Sequence, residues 1–238
     1  MILDGVVLLT AVTSRSQAYA QALANAGLMP DRVIVFEDSA VSKSPPTPAS
    51  LTPPGFTIFT PDLSEPLRET CARDNWNVTE IDAGNVNSPE VGKAVADTGA
   101  RLVVYSGYGG QLVGGDLLDL GVPIVHCHSG WLPDYKGSTT VYYSWLEEGR
   151  CGVSAILLDK GIDTGQIISR QHYPLPPSGM DVDHVFDNAI RADMLVRVLL
   201  AFSKNGALTP ESTETGAGKT FYVIHPVLKH LVLLSRAQ

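Results

Sequence analysis

Residues 122–168 read VPIVHCHSGWLPDYKGSTTVYYSWLEEGRCGVSAILLDKGIDTGQII. The apolar run at 122–126 has the length and composition of a buried strand. His126 and His128 close it one residue apart, and on a strand such residues share a face. A loop with Pro133, Lys136 and Gly137 follows, then a helical stretch at 141–148 that Gly149 ends. Strands at 153–158 and 166–173 are joined by the turn LDKGIDTG, in which glycines bracket Asp163. A buried strand that feeds a loop and then a helix is a unit of a parallel α/β sheet, and such sheets bind ligands beyond the carboxyl ends of their strands.

The flanking sequence extends the alternation. Residues 5–11 (GVVLLTA) form a strand. Hydroxyls at 13–16 open a helix over 17–26, Gly27 and Pro30 close it, and 32–36 is the next strand. Strands at 56–60, 77–81 and 101–106 then alternate with helices at 62–73, 88–97 and 110–120. The proline-rich stretch within 38–55 interrupts this order as a surface loop. Beyond residue 180, apolar residues at Val182, Val185, Phe186, Ala189 and Ile190 give a long helix over 181–203. Residues 221–224 read as a late edge strand and 226–235 as an apolar helix or tail. The fold expected is α/β, a Rossmann-like mostly parallel sheet flanked by helices, with a C-terminal long helix and short tail. Residues 1–208 would form the catalytic domain, with 209–238 an extension packed on it.

The composition narrows the function. With 238 residues and 44% hydrophobic content the chain can bury a sizeable core. A net charge of −8 with no clustered Lys or Arg disfavours nucleic acid as the main partner. Cys71, Cys127 and Cys151 are odd in number and widely spaced, which fits free thiols in a reducing compartment such as the cytoplasm. The N-terminus reads as a first strand rather than a signal peptide, and no apolar run is long enough to span a membrane. The sequon at Asn77 is a chance match on this reading.

Two nucleotide signatures fail. The end of a P-loop at Gly216-Ala217-Gly218-Lys219-Thr220 lacks its first glycine, where Thr213 stands, and precedes a strand-like FYVIHP instead of a helix. Gly107-Tyr108-Gly109-Gly110-Gln111-Leu112 follows a strand but has Leu112 where a dinucleotide fingerprint has glycine. Its glycines still indicate a ligand or loop close to the backbone.

His126, His128 and Asp163 carry the chemistry. A carboxylate beside an imidazole favours the protonated ring and fixes its orientation. A protonated histidine can donate to an oxyanion as a carbonyl becomes tetrahedral. His-x-His with Asp is also a workable three-ligand metal set, so a metal-dependent hydrolase is a second reading.

The ordered series His126-Cys127-His128, Leu132-Pro133, Lys136-Gly137 and Gly161-Ile162-Asp163-Thr164-Gly165 resembles the 10-formyltetrahydrofolate-dependent formyltransferases. That family has Asn-x-His, then Pro-Ser-Leu-Leu-Pro, Arg/Lys-Gly and Gly-x-Asp-Thr-Gly. The resemblance implies the formyltransferase fold, a formyl donor in 10-formyltetrahydrofolate, no metal, and a catalytic trio at His126, His128 and Asp163. His126 stands where the family has Asn. A neutral imidazole can donate and accept as an amide does, but with different reach. His126 could therefore be a working substitute, alter the reaction, or mark its loss.

The resemblance places the donor at Tyr108, Gly109, Gly110, Gln111 and Leu112, and at Asp159, Gly161 and Ile162. The acceptor would approach Ser14, Arg15, Ser16, Gln17 and Lys136. Glycinamide ribonucleotide transformylases hold a phosphate on a glycine-rich first loop, and no glycine occurs at 13–17. A helix N-terminus with Arg15 binding an anion and a simple N-cap by Thr13 or Ser14 are equally compatible with these residues. The tRNA-directed members carry a further C-terminal domain, so the length implies a small amine acceptor, with a nucleotide-linked amino sugar as the first expectation. Formyltetrahydrofolate hydrolysis and a folate-binding relative without turnover are the other readings within this resemblance. The apolar segment VLKHLVLL suits either core or a homodimer interface.

Overall fold

The structure, a computed structural model, describes residues 1–40, 55–211 and 218–235. Most of the proline-rich loop read within 38–55 lies outside the described residues. Two compact units emerge, divided at His126 and Cys127, and residues 55–58 belong with the second.

The first unit alternates strand and helix. It comprises β1 (Ile2–Ala11), α1 (Ser14–Asn25), β2 (Met29–Glu37), α2 (Leu67–Arg73), β3 (Val78–Asp82), α3 (Pro89–Ala96), β4 (Leu102–Ser106), α4 (Gly115–Leu118) and β5 (Ile124–His128) as far as His126. The strands lie in the order β3-β2-β1-β4-β5 and every pairing is parallel. Val6, Leu8 and Leu9 of β1, Val33 to Phe36 of β2 and Val103 of β4 are fully buried. Such strands read as continuous apolar runs because helices cover both faces. The strand order reverses between β1 and β4, and the loops after these two strands flank that switch point.

The second unit takes β5 from Cys127 onward. It adds β6 (Tyr135–Gly137), α5 (Thr140–Glu148), β7 (Cys151–Leu157), β8 (Ile167–Tyr173), a π-helical turn (Val182–Phe186), α6 (Asp187–Asn205), β9 (Lys219–Phe221) and α7 (Pro226–Leu234). Here the order is β5-β7-β8, with β7 and β8 antiparallel. A separate two-stranded ribbon pairs β6 with β9, Tyr135 opposite Lys219 and Gly137 opposite Phe221. The buried face of α6 includes Ile190, Met194, Leu195, Val198 and Leu199.

The expected α/β fold is present, and several elements differ from the reading, among them Tyr135–Gly137, read as loop and found as β6. Residues 56–60 are not a strand. Phe56 instead packs its ring 6.1 Å from that of Phe186. The helix read over 62–73 begins only at Leu67, because Pro66 excludes helical backbone at the residue before it. Residues 62–64 form an Asx turn, with Ser64 N donating to Asp62 Oδ1 at 2.9 Å. The helix read over 110–120 shrinks to Gly115–Leu118, since the Asn87 side chain binds Leu112 O and Gly114 N instead. The long helix read over 181–203 opens as the π-helical turn, with Asp181 accepting from His184 N. The late strand lies at Lys219–Phe221 instead of 221–224.

At the start of α1 the N-cap is Thr13, whose hydroxyl accepts from Ser16 N at 3.2 Å. Thr13→Ala removes that acceptor and should cost about 1 kcal/mol of stability, measured as a lower urea midpoint. An unchanged midpoint would show that the cap is not carried by this hydroxyl.

Candidate active site

The alternation of β5 turns His126 and His128 to one face of the strand. His128 belongs to the second unit and is only 3% exposed. Its Nε2 lies 2.7 Å from the carbonyl oxygen of Tyr135 on β6. A carbonyl only accepts, so Nε2 carries the proton. The hydroxyl of Thr140, at the start of α5, is 3.4 Å from the same nitrogen and donates to Ser129 O. On the other side, Nδ1 is 3.4 Å from Asp163 Oδ2. The side chains of His128 and Asp163 are 4% and 12% exposed.

Asp163 is aimed by its turn. Its backbone is left-handed, with φ 53°, a conformation that Asp tolerates better than most side chains. Asp159 Oδ1 organises the turn by accepting from Gly161 N at 2.9 Å and Thr164 Oγ1 at 2.7 Å. A Cβ on Gly165 would lie 1.7 Å from Leu157 O, so the chain closes onto β7 only with glycine there. Gly137 N, on β6, then donates to Asp163 Oδ2 at 2.8 Å. The β6–β9 ribbon thus supplies both the carbonyl facing His128 and the amide facing Asp163.

Burial drives the His128 pKa below its ordinary value. Asp163 opposes this and Arg191 adds to it. The imidazole is therefore neutral at neutral pH, where the sequence reading expected the carboxylate to favour the protonated ring. The carboxylate is served by Gly137 N instead. Only an imidazolium could donate to Tyr135 O and Asp163 together.

Gly130 is a functional position that sequence reading missed. A Cβ there would stand 2.5 Å from Tyr135 O and 2.6 Å from His128 Nε2. Only glycine leaves room for their bond. The loop after it is tied to β7 through Ser154, whose hydroxyl donates to Gly130 O at 2.7 Å and accepts from Leu132 N at 3.0 Å. Trp131 stacks on His172 of β8 at 3.8 Å, with the Arg170 guanidinium 4.7 Å from its ring.

The remaining expected residues divide between the units. In the first, Arg15 donates to Gly107 O and to Ser106 Oγ, which brings the start of α1 against the end of β4 at the switch point. Ser16 is fully buried and its hydroxyl meets Ser106, so it supports this junction and presents nothing outward. Gln17 donates to Glu65 O at 3.3 Å. Tyr108 packs edge-on to Phe36 at 5.9 Å. Gln111 uses both ends of its amide internally, on Val86 N and Gly84 O. Leu112 is 60% exposed, and the space beside the α-carbons of Gly109 and Gly110 is open. His126 is half-buried, its ring 6.2 Å from that of Tyr105, whose phenol burial pushes up to about 12. In the second unit, Ile162 is 47% exposed at the tip of the Asp163 turn, and Lys136 pairs with Thr220 in the ribbon. Among the described residues no group of three His, Cys, Asp or Glu is arranged to hold a metal ion, and no helix is long and apolar enough to cross a membrane.

The burial of His128 has a consequence for stability. An unfolded histidine titrates near ~6.5 and this one titrates lower, so on acidification the unfolded chain takes up the proton first. The stability that His128 contributes is present above ~6.5 and is lost as the pH falls from there toward its folded pKa. His128→Gln should show a shallower loss of urea stability between about pH 7.5 and 5.5 than the parent chain does. Parallel pH profiles would contradict a buried neutral imidazole.

A family model described as formyl transferase matches residues 5–193. A methionyl-tRNA formyltransferase of Solibacter usitatus is 30% identical over 132 residues, which cover 54% of this chain and 42% of that protein. One of Campylobacter hominis is 26% identical over 173 residues, covering 70% of this chain and 53% of that protein. The chain spans about half the length of these curated relatives. Its fold is similar to that of a sugar N-formyltransferase from Shewanella sp FDAARGOS_354, with a TM-score of 0.57 at 16% identity over 96% of this chain and 86% of that one. It is similar also to glycinamide ribonucleotide transformylase 1 from Symbiobacterium toebii, with a TM-score of 0.57 at 19% identity over 87% and 90% of the two chains.

Proposed function

Because the chain belongs to the formyl transferase family, we propose that it transfers a formyl group from 10-formyltetrahydrofolate to the amine of a small molecule. The observation that carries this reading is the buried His128 imidazole, neutral and protonated on Nε2, with Asp163 facing its other nitrogen. A neutral N–H donor preorganised in a dry site suits an acyl transfer, in which negative charge develops on a carbonyl oxygen.

The donor supplies the electrophilic formyl carbon and the nitrogen that departs from it. Its heterocycle fits the exposed apolar side chain of Ile162, at the tip of the Asp163 turn. His128 Nε2 exchanges the Tyr135 carbonyl for the formyl oxygen and donates to it as the amine attacks. Negative charge growing at that oxygen raises the affinity of the ring for a second proton. Asp163 Oδ2 stands where an Nδ1–H would point. The ring is thus set to be neutral at rest and charged at the transition state, beside a carboxylate already in place, which is how binding energy enters the chemical step alone. One proton leaves the attacking nitrogen and one joins the departing nitrogen, so the site passes a proton without net gain.

His126 assists by hydrogen bonding in place of the family's Asn. Ile162 contacts the donor, with Asp159 shaping the turn behind it. Lys136 attracts an anionic acceptor such as a nucleotide-linked amino sugar. The likeness in fold to a sugar N-formyltransferase and a glycinamide ribonucleotide transformylase supports a small acceptor, by analogy alone.

Incubation with 10-formyltetrahydrofolate and a panel of amines, followed by mass spectrometry of the products, tests the reading. His128→Ala should lower kcat/KM by at least about a hundredfold, as loss of an oxyanion donor does. His126→Asn, which restores the family residue, should stay within about tenfold of the parent. Full turnover by His128→Ala, or formylation of no amine by the parent, would sink the proposal.

A further inference from the structure

The strand end that carries His128 is gripped from beneath by a residue to which the preceding reaction gives no role. Arg191, on α6, donates from one terminal nitrogen to Cys127 O at 3.1 Å and from the other to Ser129 Oγ at 2.7 Å. These groups belong to the residues on either side of His128. The Nε of Arg191 lies 2.9 Å from Asp187 Oδ2, one helical turn earlier on α6. Both side chains are largely buried, at 13% and 14% exposed. Asp187 Oδ1 is buried with no hydrogen-bond partner among the described residues, so this carboxylate leans on Arg191.

A planar fork with two terminal donors can hold two points on a backbone at a fixed separation, which a single ammonium cannot. The Cys127 carbonyl and the Ser129 hydroxyl are two such points. With both held, the segment cannot rotate about its long axis without breaking a charge-assisted bond. The His128 side chain leaves the backbone between them, so its direction follows. Thr140 completes the grip by donating to Ser129 O.

We propose that Arg191, seated by Asp187, is a positioning residue that sets the orientation of the His128 ring by fixing both of its chain neighbours. The orientation matters because Nε2 must meet Tyr135 O while Nδ1 faces Asp163. A small rotation of the segment would break one of these contacts. Arg191 and Asp187 also act on the ring through space, the first disfavouring its protonation and the second favouring it. The groups that face His128 are Asp163 from the turn after β7, the Tyr135 carbonyl from β6, the Thr140 hydroxyl from α5, and this pair from α6. The catalytic consequence rests on the formyl-transfer reading, while the orientation of the ring does not.

The ring can be read directly by nitrogen-15 NMR of the folded full chain. In the parent, the His128 Nε2 proton should be protected from exchange with solvent and the shifts should report the Nε2–H tautomer. In Arg191→Met the proton should exchange at least about tenfold faster, as expected when a buried bond opens locally. Arg191→Lys keeps the charge and loses the fork, so it should restore the titration midpoint of the ring more fully than its protection. Asp187→Asn removes the charge that favours imidazolium, and the midpoint should fall. Should Arg191→Met not fold, because Asp187 is left buried alone, the double variant R191M/D187L removes both charges and is read in the same way. Ring shifts and exchange equal to the parent's in these variants would overturn the proposal and leave the pair as a staple within α6. In turnover, Arg191→Met should lower kcat by about tenfold or more with KM little changed. A parent chain that formylates no amine, with the ring disturbed in Arg191→Met, would fell the formyl-transfer reading and leave the positioning role standing.

Discussion

The imidazole of His128 is buried between two oxygen acceptors, and it can serve both only when it is charged. Burial works against that charge. Much of the second unit can be understood as the means of holding this imbalance. The Tyr135 carbonyl takes the one proton the neutral ring offers, and the Gly137 amide satisfies Asp163 without help from the ring. Both groups lie on β6, three residues long and too short to hold its place alone. Its pairing with β9 brings residues from far along the chain to the same ribbon. The late strand, read from the sequence as part of an extension packed on the domain, therefore belongs to the framework around His128 and Asp163.

How much of this was legible depends on the range over which each signal acts. The alternation of the first unit could be read because apolar runs such as GVVLLTA and RLVVYS are local and long enough to declare themselves. His128 and Asp163 stood out through the ordered series of local motifs that holds them, since an Asp bracketed by glycines is by itself an ordinary turn. Their separation of 3.4 Å needs the β7–β8 hairpin, whose turn is short enough for sequence to indicate. The misread helix at 110–120 shows the opposite case. LVGGDLLDLG has helical composition, but the Asn87 side chain competes for the backbone of 112 and 114, and nothing near those residues announces it.

Two determinants of the site carried no readable mark. Gly130 is one glycine among 22 in the sequence, and its need is set by atoms of Tyr135 and His128 that only the fold brings together. Arg191 lies 64 and 62 residues from the groups it binds, on a helix whose other residues announce packing. An arginine at such a position looks like a solvated face until the strand end beneath it is known. In both cases the sequence names the residue and the tertiary structure names the requirement, so pattern reading had nothing to match.

The contrast between the two histidines of β5 follows from the same physics. His128 is enclosed, its Nε2 proton is taken by Tyr135 O, and its charge state is set by named neighbours from the turn after β7, β6, α5 and α6. His126 lies in the first unit, half-buried, near the ring of Tyr105. A group held in a dry, preorganised setting does more for a developing charge than one that water can reach, since solvent would otherwise reorganise at each turnover. Under the formyl-transfer reading, the demand for a fixed ring therefore falls on His128, with Gly130 and Asp163 among the residues that hold it.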